Sequence, residues 1–276
     1  MNVQEALAVA RATLKDAGVD DPVRDARLLM AASLGVDAGR MTLHLHDTFE
    51  AAPEAVFFAD VSKRATRVPM SHLLGYREFY GRRFTVTRDV LDPRGDTETL
   101  IEAALAEPFK TVLDLGVGSG CILLTLLAER SQARGVATDV STEALRVAQS
   151  NAADLGLADR CAFEVSDWFA AVGGCFDLIV SNPPYIAFDE MAGLAAELGY
   201  EPRIALTDEG DGLSCYRNIA AGAPEYLNAG GWLMVEIGPT QGAAVVAMFE
   251  AAGLENVGIR PDLDGRDRVI VGQKPL

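Results

Sequence analysis

Residues 112–139 constrain the fold more than any other stretch of the chain. Val112-Leu-Asp-Leu-Gly116 reads as a short buried strand, Gly116-Val-Gly-Ser-Gly120 as a glycine loop and 121–130 as an apolar helix; Arg134-Gly-Val-Ala-Thr-Asp139 is a second strand ending on an acid nineteen positions after Gly120. Strand, helix, strand in this order calls for a parallel sheet with helices on its faces. Glycines let the backbone approach a ligand at a helix N-terminus, and the acid accepts hydrogen bonds from ribose hydroxyls. That logic serves nicotinamide dinucleotides and adenosylmethionine alike. Here the spacing is G-x-G-x-G rather than G-x-G-x-x-G. With no pyrophosphate to cradle, the shorter form favours a sulfonium nucleoside.

The alternation continues. A helix is expected over 142–155, a strand over 161–167 ending in Ser166-Asp-Trp168, a strand over 176–181, a helix over 213–227, a strand over 231–237 and a helix over 241–252. Two last strands, 257–261 and 268–273, are joined by the turn-like Asp264-Gly265. The reading is an α/β fold: a Rossmann-like parallel sheet whose closing hairpin makes an antiparallel edge. The glycine loop, Asp139, Asp167-Trp168 and Asn182 all fall at carboxyl ends of strands, where open α/β sheets bind ligands.

The N-terminal part is different. Val3, Ala6, Leu7, Ala10, Leu14 and Ala17 form a helical stripe stopped by Gly18. Asp21-Pro22 offers an N-cap and a proline at the first helical position, and Val23, Ala26, Leu29, Met30, Ser33 and Leu34 keep the 3.6-residue period to Gly35. A third helix is expected over 53–67. This small bundle has no glycine loop and no acid, base and nucleophile cluster, so it suits substrate recognition, or a structural cap, better than chemistry. Glu78-Phe-Tyr-Gly-Arg-Arg-Phe-Thr-Val-Thr reads as a β-hairpin, and Asp96 as the N-cap of a helix over 97–106. The expected division is a helical domain at 1–72, a hairpin linker at 73–95 and the sheet domain at 96–276.

Ser181-Asn-Pro-Pro-Tyr-Ile186 follows the apolar run 176–180. Neither proline can donate to a sheet ladder, so the strand must end there in a rigid loop. Fixed φ angles hold the Asn182 carboxamide and the Tyr185 ring in a nearly preset geometry, suited to a small planar group such as an amide or an exocyclic amine. A tight turn with a capping Asn and a packing Tyr is the plainer alternative.

Formal net charge is −16, so the whole chain lacks the positive field that duplex nucleic acid recruits. The most basic stretch holds Lys63, Arg64, Arg67, Arg77, Arg82, Arg83 and Arg88, either a local patch or a charge-balancing face. Cys121, Cys161, Cys175 and Cys215 show no C-x-x-C pairing and no zinc spacing with histidine, which favours buried free thiols in a reducing compartment. His44-x-His46 reads as a polar pair, and no metal site is expected. The first residues lack a basic n-region and no apolar run approaches a membrane span, so a cytoplasmic protein is expected.

Asp114-Leu-Gly-Val-Gly-Ser-Gly120, Asp139, Ser166-Asp-Trp168 and Asn182-Pro-Pro-Tyr185 resemble the class I adenosylmethionine-dependent methyltransferases that act on an amide or amino nitrogen. Gly75-Tyr-Arg-Glu-Phe-Tyr-Gly81, Asp92-Pro-Arg-Gly-Asp-Thr-Glu98, Tyr200-Glu-Pro-Arg-Ile-Ala-Leu206, Gly210-Asp-Gly-Leu213 and Glu236-Ile-Gly-Pro-Thr-Gln241 are similar to one family, the release factor N5-glutamine methyltransferases (PrmC/HemK). The resemblance covers nearly the whole chain. It implies methyl transfer from S-adenosyl-L-methionine to the glutamine amide nitrogen in the Gly-Gly-Gln loop of class 1 peptide chain release factors. By the same resemblance, Gly116, Val117, Gly118, Ser119, Gly120, Asp139, Asp167, Trp168 and Asn182 would bind the cofactor, with Trp168 beside its adenine. Asn182, Pro183, Pro184 and Tyr185 would form the glutamine slot, with Asn182, Pro183 and Tyr185 taking part in catalysis. A monomer is expected, with no nucleic acid or membrane partner. Asp92 stands where the family usually has an apolar residue and Gly95 where it has Pro or Glu.

Two other functions fit part of the pattern. An adenine-N6 methyltransferase of DNA or RNA would present a flipped base to the same loop, against which the net charge weighs. A non-catalytic adenosylmethionine-binding interaction protein would keep the glycine loop but has no need of Asn182 and Tyr185. A nicotinamide-dependent oxidoreductase has no candidate proton donor near the loop.

Overall fold

Side-chain chemistry sets the ends of the first helices. In the computed structural model, which describes residues 1–276, α1 (Val3–Asp16) opens on a capping box: Glu5 N–H donates to Asn2 Oδ1 and Asn2 N–H to the Glu5 carboxylate. Helix α2 (Pro22–Leu34) starts from Asp21, whose carboxylate accepts from Arg24 N, and stops at Gly35 with φ 65°. Helix α3 (Ala51–Ala65) begins two residues ahead of the expected start, and α4 (Met70–Leu74) is a short turn ending on Gly75. The apolar stripes Val3, Ala6, Leu7, Leu14 and Ala26, Leu29, Met30 close on Phe57 and Val61 as one core. Within this unit, Arg64 is buried and paired with Asp25 at 2.8 Å.

Residues 1–76 together with 195–200 make one unit, and 77–194 with 201–276 make the other. The short segment in the first unit is held by Glu197, which takes ion pairs from Arg64 and Arg67 at 3.0 and 2.7 Å.

The expected hairpin forms as β1 (Tyr76–Phe79) and β2 (Arg82–Thr85), with Tyr80 and Gly81 at φ 48° and 71°, the left-handed pair that a tight two-residue turn needs. It is not a loose linker. Phe79 and Phe84 are buried in the core of the second unit, Tyr80 donates to Glu98 and Glu102, and Asn151 bonds both the N–H and the carbonyl of Thr85. The hairpin is therefore built into the sheet unit from Arg77 onward.

That unit contains α5 (Glu98–Leu105), β3 (Thr111–Leu115), α6 (Cys121–Glu129), β4 (Arg134–Asp139), α7 (Thr142–Asp154), β5 (Cys161–Val165) and β6 (Phe176–Ser181). It continues with α8 (Ser214–Tyr226), β7 (Leu227–Glu236), α9 (Gly242–Ala251), β8 (Glu255–Pro261) and β9 (Asp267–Gln273). Strand order is β5-β4-β3-β6-β7-β9-β8; the first five are parallel, and β9 runs antiparallel to both neighbours. The antiparallel element is thus inside the sheet, and β8 is the edge. Two-residue periodicity sorts the side chains. Val112, Leu178, Val180, Met234 and Val269 face α5, α6 and α7, whereas Leu113, Leu115, Ile179, Val235 and Ile270 face α8 and α9. Helix α6 is buried from Cys121 through Leu127, which is why its sequence is apolar all round.

Three local expectations change. Strand β7 starts at Leu227, before the expected 231, because Gly231 sits at a register shift where a Cβ would meet the Asn228 and Asp177 carbonyls at 2.9 and 3.1 Å. Asp96 does not cap α5: a 3₁₀ turn, Gly95–Thr97, precedes that helix, and the Asp96 carboxylate pairs with Arg268 at 3.0 Å. All four cysteines are free, but only Cys121 and Cys215 are buried, while Cys175 is exposed.

Replacing Phe84 with Ala should lower the stability of the sheet unit by about 3–5 kcal/mol. In urea denaturation a true linker residue would cost no more than about 0.5 kcal/mol.

Candidate active site

Chain direction creates the site. From β3 the chain moves outward to β4 and β5, then returns to the opposite side of β3 as β6, so the loops after β3 and β6 diverge and leave a crevice between them. A cavity of about 590 Å³ fills it, a size typical of small-molecule sites. Its wall includes Gly116, Val117, Gly118, Ser119, Asp139, Asp167, Trp168, Asn182 and Pro184. Gly120, Pro183 and Tyr185 are not on that wall.

The glycine loop is held by backbone bonds to the neighbouring strand: Gly116 N and Val117 N both donate to Thr138 O at 2.9 Å. Gly118 N then donates to Asp139 Oδ2 at 3.0 Å, while Ser141 N donates to Oδ1 at 2.9 Å. Each Asp139 oxygen therefore keeps acceptor capacity for a ligand hydroxyl. Burial raises the Asp139 carboxyl above its ordinary range, and the N–H groups of Ser141 and Gly118 oppose that shift. Gly120 serves packing instead: with φ 83° it starts α6, and a Cβ there would lie 2.9 Å from Leu124 Cδ1. Beneath the loop, burial pushes the Asp114 carboxyl up to about 7, opposed by its bond from Leu123 N.

Trp168 adopts φ 50°, and its carbonyl accepts from Ser166 Oγ at 2.9 Å, which turns the chain sharply after β5 and brings the half-buried ring to the cavity. Asp167 is exposed at the same edge.

After β6, Asn182 is half-buried and its Nδ2 donates to Thr97 Oγ1 at 3.4 Å. Pro183 is buried. Tyr185 packs against the core under α8, and its carbonyl accepts from Gln241 Nε2 at 2.9 Å. Burial and the nearby Glu236 carboxylate push the Tyr185 hydroxyl up to about 12, so it stays neutral. Asn182 and Pro184 face the cavity, while Pro183 and Tyr185 support them from behind.

Other wall residues come from segments whose sequence gave only a family likeness. Pro93, Arg94 and Thr97 precede α5, and Arg203, Ile204 and Thr207 follow the segment 195–200. Arg94 pairs with the buried Glu201, whose carboxyl burial raises and Arg94 lowers. The unusual Asp92 is buried in the same cluster, 3.8 Å from Arg77, with its N–H 3.4 Å from Glu201 Oε2. Asp208 organises the turn ahead of α8, accepting from Gly210 N, Gly212 N, Ser214 N and Ser214 Oγ. Burial works against its charge, yet those donors hold the carboxyl at about 2.

The basic stretch is neutralised internally. Lys63 pairs with Asp60, Arg64 with Asp25, Arg67 with Glu197, Arg77 with Asp92, Arg82 with Glu129, Arg83 with Glu78 and Arg88 with Asp89. His44 bonds Asp47 at 2.8 Å.

A release factor glutamine methyltransferase of Cereibacter sphaeroides is 55% identical over 276 residues, covering 100% of this chain and 99% of that protein. The chain belongs to the release factor glutamine methyltransferase family. Relatives of the same description from Rhodospirillum rubrum and Caulobacter vibrioides are 44% and 41% identical, covering 95% and 99% of this chain and 82% and 97% of theirs. Two family models match in tandem, the PrmC N-terminal domain over residues 5–75 and the methyltransferase small domain over residues 87–212. Among solved structures, the hMettl16 catalytic domain in complex with an RNA hairpin aligns with TM-score 0.59 and 19% identity over 81% of each chain. A Pyrococcus furiosus methyltransferase aligns at 0.55 and 15%, covering 72% of this chain and 91% of its own. At these identities the likeness establishes the methyltransferase fold.

The low carboxyl value at Asp208 predicts a pH signature. A folded-state value of about 2 lies below the ordinary 3.9 or so, so its stabilisation is present above pH about 4 and lost as pH falls through about 2. The urea midpoint of Asp208→Asn should lie below that of the unsubstituted protein at pH 6, and the gap should close by pH 2.

Proposed function

We propose that the protein transfers the methyl group of S-adenosyl-L-methionine to the side-chain amide nitrogen of the glutamine in the Gly-Gly-Gln loop of class 1 peptide chain release factors. The observation that carries this reading is that Asn182 and the glycine loop share one cavity, in a chain belonging to the release factor glutamine methyltransferase family. The residues fit the donor: a glycine-rich loop whose Gly116 and Gly118 leave the backbone open to the cavity, a carboxylate with free acceptor sites and an indole on one wall suit a cationic adenine nucleoside. S-adenosyl-L-methionine supplies an electrophilic methyl on a cationic sulfur.

The chain's own groups do the rest. Asp139 accepts from ribose hydroxyls and Trp168 flanks adenine. An amide nitrogen is a weak nucleophile because its lone pair is delocalised, so the site must hold it in place and exclude water. Asn182 Oδ1 accepts one of the two amide hydrogens. That bond strengthens as positive charge develops on nitrogen, which lowers the barrier selectively. Tyr185, neutral and fixed, backs the slot against the core. The proton leaves after transfer, so no strong base is required.

A protein substrate is favoured over nucleic acid because the net charge is −16 and each cation of the 63–88 stretch has a carboxylate partner. No helix is long and apolar enough to cross a membrane. We take the enzyme to act in the cytoplasm as a monomer.

Incubation with labelled donor should methylate a class 1 release factor and leave unlabelled the same factor with its Gly-Gly-Gln glutamine replaced; equal labelling of both would overturn the target. Asn182→Ala should lower kcat by about 100-fold or more while donor affinity, measured calorimetrically, changes little.

A further inference from the structure

Gln241 opens α9 yet does nothing for that helix's own N–H groups. It stands at the N-cap position, where a side chain ordinarily accepts from the first turn, and makes no such bond. Instead its carboxamide turns back to the loops beside the site. Nε2 donates to Tyr185 O at 2.9 Å and to Gly212 O at 3.0 Å, while Oε1 accepts from Gly238 N at 2.9 Å. An N–H can only donate and a carbonyl can only accept, so the backbone itself dictates which end of the amide faces which way.

The two carbonyls need this donor. Gly212, with φ 73°, is pressed so closely on the loop after β6 that a Cβ there would lie 2.5 Å from Tyr185 O and 3.1 Å from Gln241 Nε2. Carbonyl oxygens converging on one point repel unless protons lie between them, and one carboxamide nitrogen carries the two protons required. Gly212 also belongs to the turn that Asp208 organises, whose Asp208 and Glu209 line the cavity.

The loop held in this way carries Asn182. Its near end is fixed where Ser181 Oγ donates to Leu115 O at 2.7 Å. Pro183 and Pro184 follow, neither with an N–H to anchor it and both with φ locked by the ring. Tyr185 O, three residues after Asn182, is the far anchor, and Ile186 N extends it by donating to Leu206 O at 2.9 Å. With so few free torsions between two anchors, the place of Tyr185 O sets where Asn182 stands. We propose that Gln241 is a positioning residue: by giving its two amide protons to the Tyr185 and Gly212 carbonyls, it fixes the substrate loop, and with it Asn182, against the turn ahead of α8. This deepens the functional reading above and rests on it. A side chain that merely filled space at the start of α9 would have no need of a donor end.

The test compares Gln241→Met, which keeps the length and loses both polar ends, and Gln241→Glu, which keeps the bond from Gly238 but sets a carboxylate oxygen against the two carbonyls. Phe249→Leu, in the buried core two turns further along α9, is the control for stability alone. A class 1 release factor is the acceptor, and kcat is counted per donor-binding site titrated calorimetrically, so that loss of folded protein does not count. Gln241→Met and Gln241→Glu should each lower kcat about tenfold or more, with the affinity of the remaining sites for S-adenosyl-L-methionine nearly unchanged. Phe249→Leu should lower the urea midpoint and keep kcat within about twofold. Unchanged kcat in either Gln241 variant, or an equal loss in Phe249→Leu, overturns the positioning role and leaves the methyl transfer intact. Absence of transfer by the unsubstituted enzyme overturns the functional reading instead. Positioning is then judged by NMR: the Asn182 side-chain NH₂ signals, assigned by their loss in Asn182→Asp, should shift in Gln241→Met and stay in place in Phe249→Leu, and unmoved signals in Gln241→Met overturn it.

Discussion

The pairing of Leu115 with Ser181 is the constraint on which the site depends. These are the last residues of β3 and β6, they lie side by side in the parallel register, and Ser181 Oγ donates to the Leu115 carbonyl at 2.7 Å. The next residues, Gly116 and Asn182, therefore leave the sheet together. A slip of one position would exchange the two faces of β6 and move Ile179 and Val180 out of their separate cores. The packing that fixes the register thus also fixes the distance between the donor-binding loop and the substrate loop.

Around this point the protein accumulates buried carboxyls. Asp114 lies under the glycine loop and Glu236 under the loop after β6, each pushed up to about 7 by burial. Asp139 and Asp208 reach the cavity with their charges supported by backbone donors. An anionic surround suits a cationic donor. Where arginines approach, as Arg94 and Arg268 do, acids already hold them.

Much of the site was legible because its parts are local. The loop 116–120, Asp139 and Asn182-Pro-Pro each announce a backbone geometry through the residues that adopt it, and the strand alternation places them at one end of the sheet. Other parts depend on partners far away in sequence. Asp96 resembles an N-cap until Arg268 draws it away, and Thr97 is an ordinary loop residue until β6 brings Asn182 against its hydroxyl. Tyr185 reads as a wall residue, but its ring is packed against the core. The segment 195–200 has no periodicity of its own, and its place in the helical unit follows from Glu197 meeting Arg64 and Arg67. Hairpin 76–85 was recognisable as a hairpin; its burial, through Phe79 and Phe84, was not.

By itself the sequence determined the elements, their alternation and the chemical character of the loops, because apolar period, glycine, proline and capping residues act over a few positions. Only the tertiary structure decided which loops share a cavity, where β9 inserts and what Asn182 bonds. Those outcomes depend on strand order and on hydrogen bonds such as that from Asn182 to Thr97, 85 positions away, and no local pattern encodes such pairings.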